Sequence, residues 1–250
     1  MIQSVGARDR RAEPPVGHRL REIDPTRRED VATITRLHQV LLEWGPMARL
    51  GELFLRRFCY TVLLRDGLMR AALFEVDGRP AGFVAYTDRS ITFHRQAIRR
   101  HWAYAAWLIA LSVLRAPRLV PRLLRAVWLM FSRRAELHLG QEPLGEVLAI
   151  GVLPEYRTPH FVRRTALRIG EALIAHVVAY LQRVGVDRMR AVVDAPNKPA
   201  LLFYHQLGGR FEPYERAGEP MVQVWFDLAA PIALDVERAR TFPGRGGTMS

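Results

Sequence analysis

Apolar residues run almost without interruption over positions 147–153, with Gly151 inside the run and Pro154 closing it, a pattern that fits a buried strand better than a helix. A helical period follows, placing Val162, Ala166, Ile169, Leu173, Ala175 and Val177 near one face and Arg163, Arg164 and Arg168 in the opening turns. Cations there oppose the helix macrodipole unless an anion joins them, so strand, basic turn and helix form a phosphate-site pattern. Residues 189–193 alternate into a second strand that ends at Asp194. Asn197 and Pro199 then open a short helix carrying Ala200, Leu201, Phe203, Tyr204 and Leu207, which Gly208 and Gly209 end.

The rest of the chain supports this stretch. Residues 18–24 alternate and read as an opening strand, and Thr26 and Asp30 are candidate caps for a helix through Ile34, Leu37 and Leu41. Gly45 and Pro46 separate it from a second apolar helix over residues 47–64. Runs at 69–76 and 80–87 flank Asp77-Gly78-Arg79, a tight hairpin signal. Residues 210–214 and 222–228 read as a closing antiparallel pair.

Between the hairpin and Glu146 lies a long segment, residues 90–145. Its uncharged run at 102–114 is shorter than the roughly 20 residues that span a bilayer. Arg115, Arg118, Arg122 and Arg125 then recur at spacings of three and four, opposite Leu119, Leu123, Val127, Met130 and Phe131. Together these predict a hydrophobic helical hairpin with a basic stripe. It suits either an anionic membrane surface, through residues 95–134, or packing on the domain or a second subunit as a homodimer.

The chain has 250 residues, 49% of them hydrophobic, which supports one domain with a full core. We divide it into a flexible N-terminus at 1–16, a domain at 17–228 and a partly disordered tail at 229–250. The formal charge of +12 is almost entirely arginine, Lys198 being the only lysine, and no nucleic-acid-binding signature accompanies it. Nucleic acid is therefore not an expected partner. The first residues show no apolar signal-peptide core, so the expected location is cytoplasmic, with peripheral membrane contact on its inner face as the variant. Cys59 lies in an apolar stretch and reads as a core residue. His94, His101 and His138 lack metal-ligand spacing, so no metal is expected, and His160 reads as a loop residue.

The order V-L-P-E-Y-R at 152–157, I-G-E-A-L at 169–173, a buried strand, then N-x-x-A-x-x-x-Y-x-x-L-G from Asn197 to Gly208 resembles the acyl-CoA-binding half of the GNAT superfamily of N-acyltransferases. The resemblance implies an α/β fold: a mixed, mostly antiparallel sheet flanked by helices, here with the helical hairpin inserted between the third and fourth strands. It implies acetyl-CoA as acyl donor and a small-molecule or lipid-linked amine as acceptor. On this resemblance, the backbone of Ile150 and Val152 pairs with the pantetheine arm, and Arg163, Arg164, Thr165, Arg168, Ile169 and Gly170 form the pyrophosphate turn. Asn197 lies near the pantetheine, Tyr204 protonates the leaving thiolate, and Glu146, six residues before Val152, deprotonates the amine.

One departure stands out. The family's loop reads R/Q-x-x-G-x-G/A, whereas this chain has Thr165 at the Arg/Gln place and Arg168 at the first glycine, with extra residues, including 158–162, before them. Gly170 alone keeps its place, leaving arginine charge to replace backbone N–H contacts or the loop without its ligand. The leading reading is acetyl transfer to a primary amine. The alternatives are a longer acyl-CoA or an acyl carrier protein at a membrane surface, and a non-catalytic, degenerate GNAT interaction module.

Overall fold

The computed structural model describes residues 16–43, 45–115, 143–216, 218–229 and 232. Seven strands form one sheet: β1 (His18–Glu22), β2 (Arg70–Val76), β3 (Arg79–Thr87), β4 (Gly145–Val152), β5 (Arg188–Asp194), β6 (Arg210–Arg216) and β7 (Glu219–Asp227). Their spatial order is β1-β2-β3-β4-β5-β7-β6, and every pair is antiparallel except β4 with β5. The predicted α/β architecture is what the chain adopts. Asp77 and Gly78 both take positive φ, 48° and 73°, the geometry that a two-residue turn between twisted strands requires.

Side-chain alternation along the strands builds a core on each face. Ala72, Phe74, Val84, Tyr86 and Val147 pack on one side with α6 (Ile169–Arg183) and α7 (Lys198–Gln206). Ala71, Leu73, Phe83, Ala85 and Ala149 pack on the other with α1 (Arg28–Leu41), α4 (Ser90–Arg115) and a π-helical segment, Leu55–Leu63. The first core is organised by α6, whose Leu173, Ile174, Val177 and Leu181 are fully buried.

Several local readings change. Neither Thr26 nor Asp30 caps α1; Arg27 occupies the N-cap without a side-chain bond. Asp30 instead accepts from Arg21 at 2.7 and 2.9 Å and from the Asp24 amide, tying α1 to β1. The single helix expected over 47–64 is broken into α2 (Pro46–Arg49), α3 (Glu52–Phe54) and the π-helical segment, because Gly51 at φ 88° interrupts the ladder. The helix expected to open with three arginines is also two helices, α5 (Pro159–Thr165) and α6. Ala166 ends α5 in the left-handed conformation at φ 58°. Arg163 and Arg164 therefore sit in the last turn of α5, where the dipole favours cations, and only Arg168 stands at the start of α6.

The uncharged run at 102–114 lies within α4, which starts earlier, at Ser90. α4 kinks at His101, whose backbone leaves the helical region and whose ring lies 2.6 Å from Asp66. The expected return arm with Arg118, Arg122, Arg125 and Trp128 lies outside the described residues, as do most of the N-terminal segment and most of the tail. No helix among the described residues is long and apolar enough to cross a membrane.

Candidate active site

The site begins with a mismatch in strand pairing. β4 and β5 are neighbours only at Gly145↔Met189, Glu146↔Arg190 and Val147↔Ala191. Beyond that, β4 stays with β3 as far as Gly82↔Val152, while β5 follows β7 to Asp194↔Met221, and the two strands splay. The bend coincides with a bulge: Tyr86 pairs with Val147 and Ala85 with Ala149, leaving Leu148 as the extra residue. Leu148 and Ala149 consequently both pack toward the α1 side.

The splay exposes one edge of β4. The Leu153 amide donates to the Ala81 carbonyl at 2.9 Å, so position 153 points toward β3. By alternation, the backbone groups of Ile150 and Val152 point the opposite way, into the gap. A cavity of about 290 Å³ fills that gap and joins the two faces of the sheet. Glu146, Ile150, Asp194, Asn197, Ala200 and Tyr204 lie on its wall, and His38, Tyr60, Leu63 and Phe93 line it from the α1 side.

Tyr204 is 3% exposed, with its ring against Phe203 and Phe226. Burial pushes its phenol well up from the ordinary value, so it stays protonated at neutral pH and can serve as an acid. Asn197 caps α7 by accepting from the Ala200 amide at 3.3 Å, which fixes the chain where it passes the cavity. Asp194 ends β5 on the cavity wall, where desolvation and then Glu219 push its pKa up.

Glu146 is 3% exposed, and its Oε2 accepts from Arg190 Nη2 at 2.9 Å, from Arg190 Nε at 3.2 Å and from the Ser90 hydroxyl at 2.5 Å. Arg190 is wholly buried and stands beside Glu146 on β5. The pair closes the narrow end of the splay. Sequence reasoning passed over Arg190, although an arginine amid the apolar alternation of β5 is itself a signal that an internal carboxylate must exist.

Val152, expected beside the pantetheine, and the pyrophosphate-turn residues Arg163, Arg164, Thr165, Arg168, Ile169 and Gly170 are not on the cavity wall. The Thr165 hydroxyl donates to the Phe161 carbonyl and accepts from the Leu167 amide, so it stabilises the turn. Arg163, Arg164 and Arg168 are exposed, and Arg168 pairs with Glu171 at 2.9 Å. Within α6 the Ala172 amide donates to the Arg168 carbonyl; the amides of Ile169, Gly170 and Glu171 precede that ladder. Gly170 packs closely against Phe203: a Cβ there would lie 3.0 Å from its Cε2.

Strand, helix N-terminus, second strand and tyrosine-bearing helix follow in the order that the sequence resemblance implied, whereas the splay and the bulge are features of the tertiary structure alone. Residues 128–209 match the model of the Acetyltransferase (GNAT) family. That match covers 82 of the chain's 250 residues. The GNAT fold extends past that match on both sides. A candidate GNAT-family acetyltransferase from Desulfovibrio desulfuricans is 15% identical, with 85% of this chain and 99% of that one covered at a TM-score of 0.50. SsHAT is 20% identical over 87% of this chain and 100% of its own, at 0.52. A candidate acetyltransferase from Acinetobacter baylyi is 12% identical over 86% and 96%, at 0.50. At these identities the likeness is one of fold. No curated protein sequence matches the chain. Among the described residues, no group of three or more His, Cys, Asp or Glu side chains is placed to hold a metal ion.

Proposed function

We propose that the chain transfers an acyl group, in the simplest case acetyl, from acetyl-CoA to a primary amine. The observation that carries this reading is the splay, a cavity through the sheet with an exposed strand edge on one wall and a buried phenol on another. The pantetheine arm extends along Ile150 and Val152 as an added strand, and the pyrophosphate meets the first amides of α6 with Arg163, Arg164 and Arg168 around it. The amine attacks the thioester carbonyl, the C–N bond forms, and the C–S bond breaks as Tyr204 gives its proton to the departing thiolate.

The amine must also lose a proton. Glu146, directly or through a water, is the acceptor in this reading, held in place by Arg190 and Ser90. Protonating Glu146 weakens its pairing with Arg190, and this favours Asp194, with its raised pKa, as the second candidate. Comparing Glu146→Gln with Asp194→Asn in rate against pH separates them: the true acceptor's variant loses the ascending, acid-side limb of the profile.

A lipid-facing form of the same activity, with a longer acyl donor or a lipid-linked amine, is favoured by one observation. Trp102, Trp107 and Leu114 on the second half of α4 are 66%, 51% and 79% exposed. Co-sedimentation with anionic vesicles tests it.

Calorimetric titration of the full chain with acetyl-CoA, CoA and a long-chain acyl-CoA tests the whole reading. Micromolar binding supports it, and the preferred chain length chooses the donor. Absence of binding by all three transfers the weight to a carrier-protein donor or to a domain without catalysis.

A further inference from the structure

The α1-side half of the cavity is mostly hydrocarbon, with His38, Cys59, Tyr60 and His94 as its polar or polarisable members. Leu41, Leu42, Leu55, Leu63, Met69 and Phe93 supply most of its wall. The π-helical segment keeps residues four and five apart on one side, so Leu55, Cys59, Tyr60 and Leu63 all reach the same space. One polar contact stands among them: His38 Nδ1 and the Tyr60 hydroxyl lie 2.6 Å apart, with the two residues 6% and 1% exposed.

Three of these groups bring no charge. Burial lowers the His38 pKa to about 4 and raises those of the Cys59 thiol and the Tyr60 phenol, so all three are neutral at pH 7. The cavity's carboxylates are Glu146, held by Arg190, and Asp194 at the far strand end. A polyamine or a lysine on an extended peptide needs several carboxylates along its length, and among the described residues the cavity offers only these two, with Arg216 also on its wall. Size points the same way. A dry apolar cavity of about 150 Å³ takes a benzene ring, and the whole cavity of about 290 Å³ matches one such body with the acyl end of a donor beside it.

We propose that the acceptor is a single primary amine carried on a compact apolar body, an aryl- or short alkylamine, seated between α1, the π-helical segment and α4 with His38 and Tyr60 as its positioning pair. The transfer itself rests on the acyltransferase reading: the amine nitrogen gains the acyl carbon, its proton goes to the cavity base, and CoA leaves as the thiol.

Two measurements on the full chain test this. The first follows thiol release from acetyl-CoA with 2-phenylethylamine, hexylamine, spermidine and a lysine-containing peptide. The expected result is a kcat/KM about 100-fold higher for the two apolar amines. The second measures 2-phenylethylamine binding by calorimetry without CoA, in the parent protein, in Leu63→Arg and in the near-isosteric Tyr60→Phe. Leu63→Arg should abolish amine binding while acetyl-CoA affinity is kept. Tyr60→Phe should raise the amine KM several-fold with little change in kcat, a split that mere loss of structure does not produce. A preference for spermidine or the peptide, or no binding of either apolar amine, overturns the proposal. If the amines bind and acetyl-CoA does not, the acyltransferase reading falls while the apolar amine chamber stands.

Discussion

Glu146 and Arg190 are register partners across the parallel strand pair, and their carboxylate and guanidinium meet at 2.9 Å with side chains 3% and 0% exposed. The pair sits where β4 and β5 begin to diverge, so it holds the strands together at the apex of the cavity. Removing one partner of a buried ion pair strands the other without compensation and costs about 3–5 kcal/mol. Arg190→Met should therefore lower the denaturation midpoint sharply, and Glu146→Gln, which keeps hydrogen bonding, should do so less. Chemical denaturation of both variants checks the order. If the two are equally stable to the parent, the ion pair does not hold the apex.

Tyr204→Phe leaves the packing against Phe203 and Phe226 intact and removes only the hydroxyl. For a general acid the expected loss in kcat is about 10²- to 10⁴-fold. Acetyl-CoA affinity should hardly change. A fall in affinity without a fall in kcat would make the phenol a binding group instead.

His38 gives the fold an acid-side dependence. Its ordinary pKa of 6.5 is lowered to about 4 by burial, so between these values the unfolded chain binds a proton that the folded chain refuses. Its contribution is complete above pH 6.5 and is lost as pH falls toward 4, by about 3 kcal/mol on integration over that window. His38→Gln should flatten the fall in stability over that range, as measured by denaturation at pH 7 and pH 4. His176, lowered by burial in the same direction, remains in the variant and leaves a residual slope.

Gly170 offers a test of what a glycine in the phosphate turn is for. A Cβ there would stand 3.0 Å from Phe203 Cε2, so Gly170→Ala costs stability to the extent that the half-buried ring fails to yield, against a helix-propensity gain of about 1 kcal/mol. Phe203→Leu should restore whatever stability is lost. If the double variant regains stability but not acetyl-CoA affinity, the glycine also serves close approach of the phosphates. Recovery of both would make packing its whole role.

The linear pattern of the chain was enough to find the strands, the hairpin at Asp77-Gly78, the Asn197 cap and the helix bearing Tyr204. Each depends on residues a few positions apart, and periodicity, turn chemistry and capping act at that range. Tertiary structure decided the rest. The divergence of β4 from β5 arises because each is committed to a different antiparallel neighbour, β3 or β7, a competition among pairings far apart in sequence. Ala166 turns left-handed without a glycine to announce it, and this moves Arg163 and Arg164 to a helix end where their charge is ordinary. His38 and Tyr60, 22 positions apart, and Glu146 and Arg190, 44 apart, meet only once the sheet and its two cores exist. Local order follows from local side-chain preferences; a cavity is the space that long-range packing leaves, and which side chains line it is fixed only when the layers close.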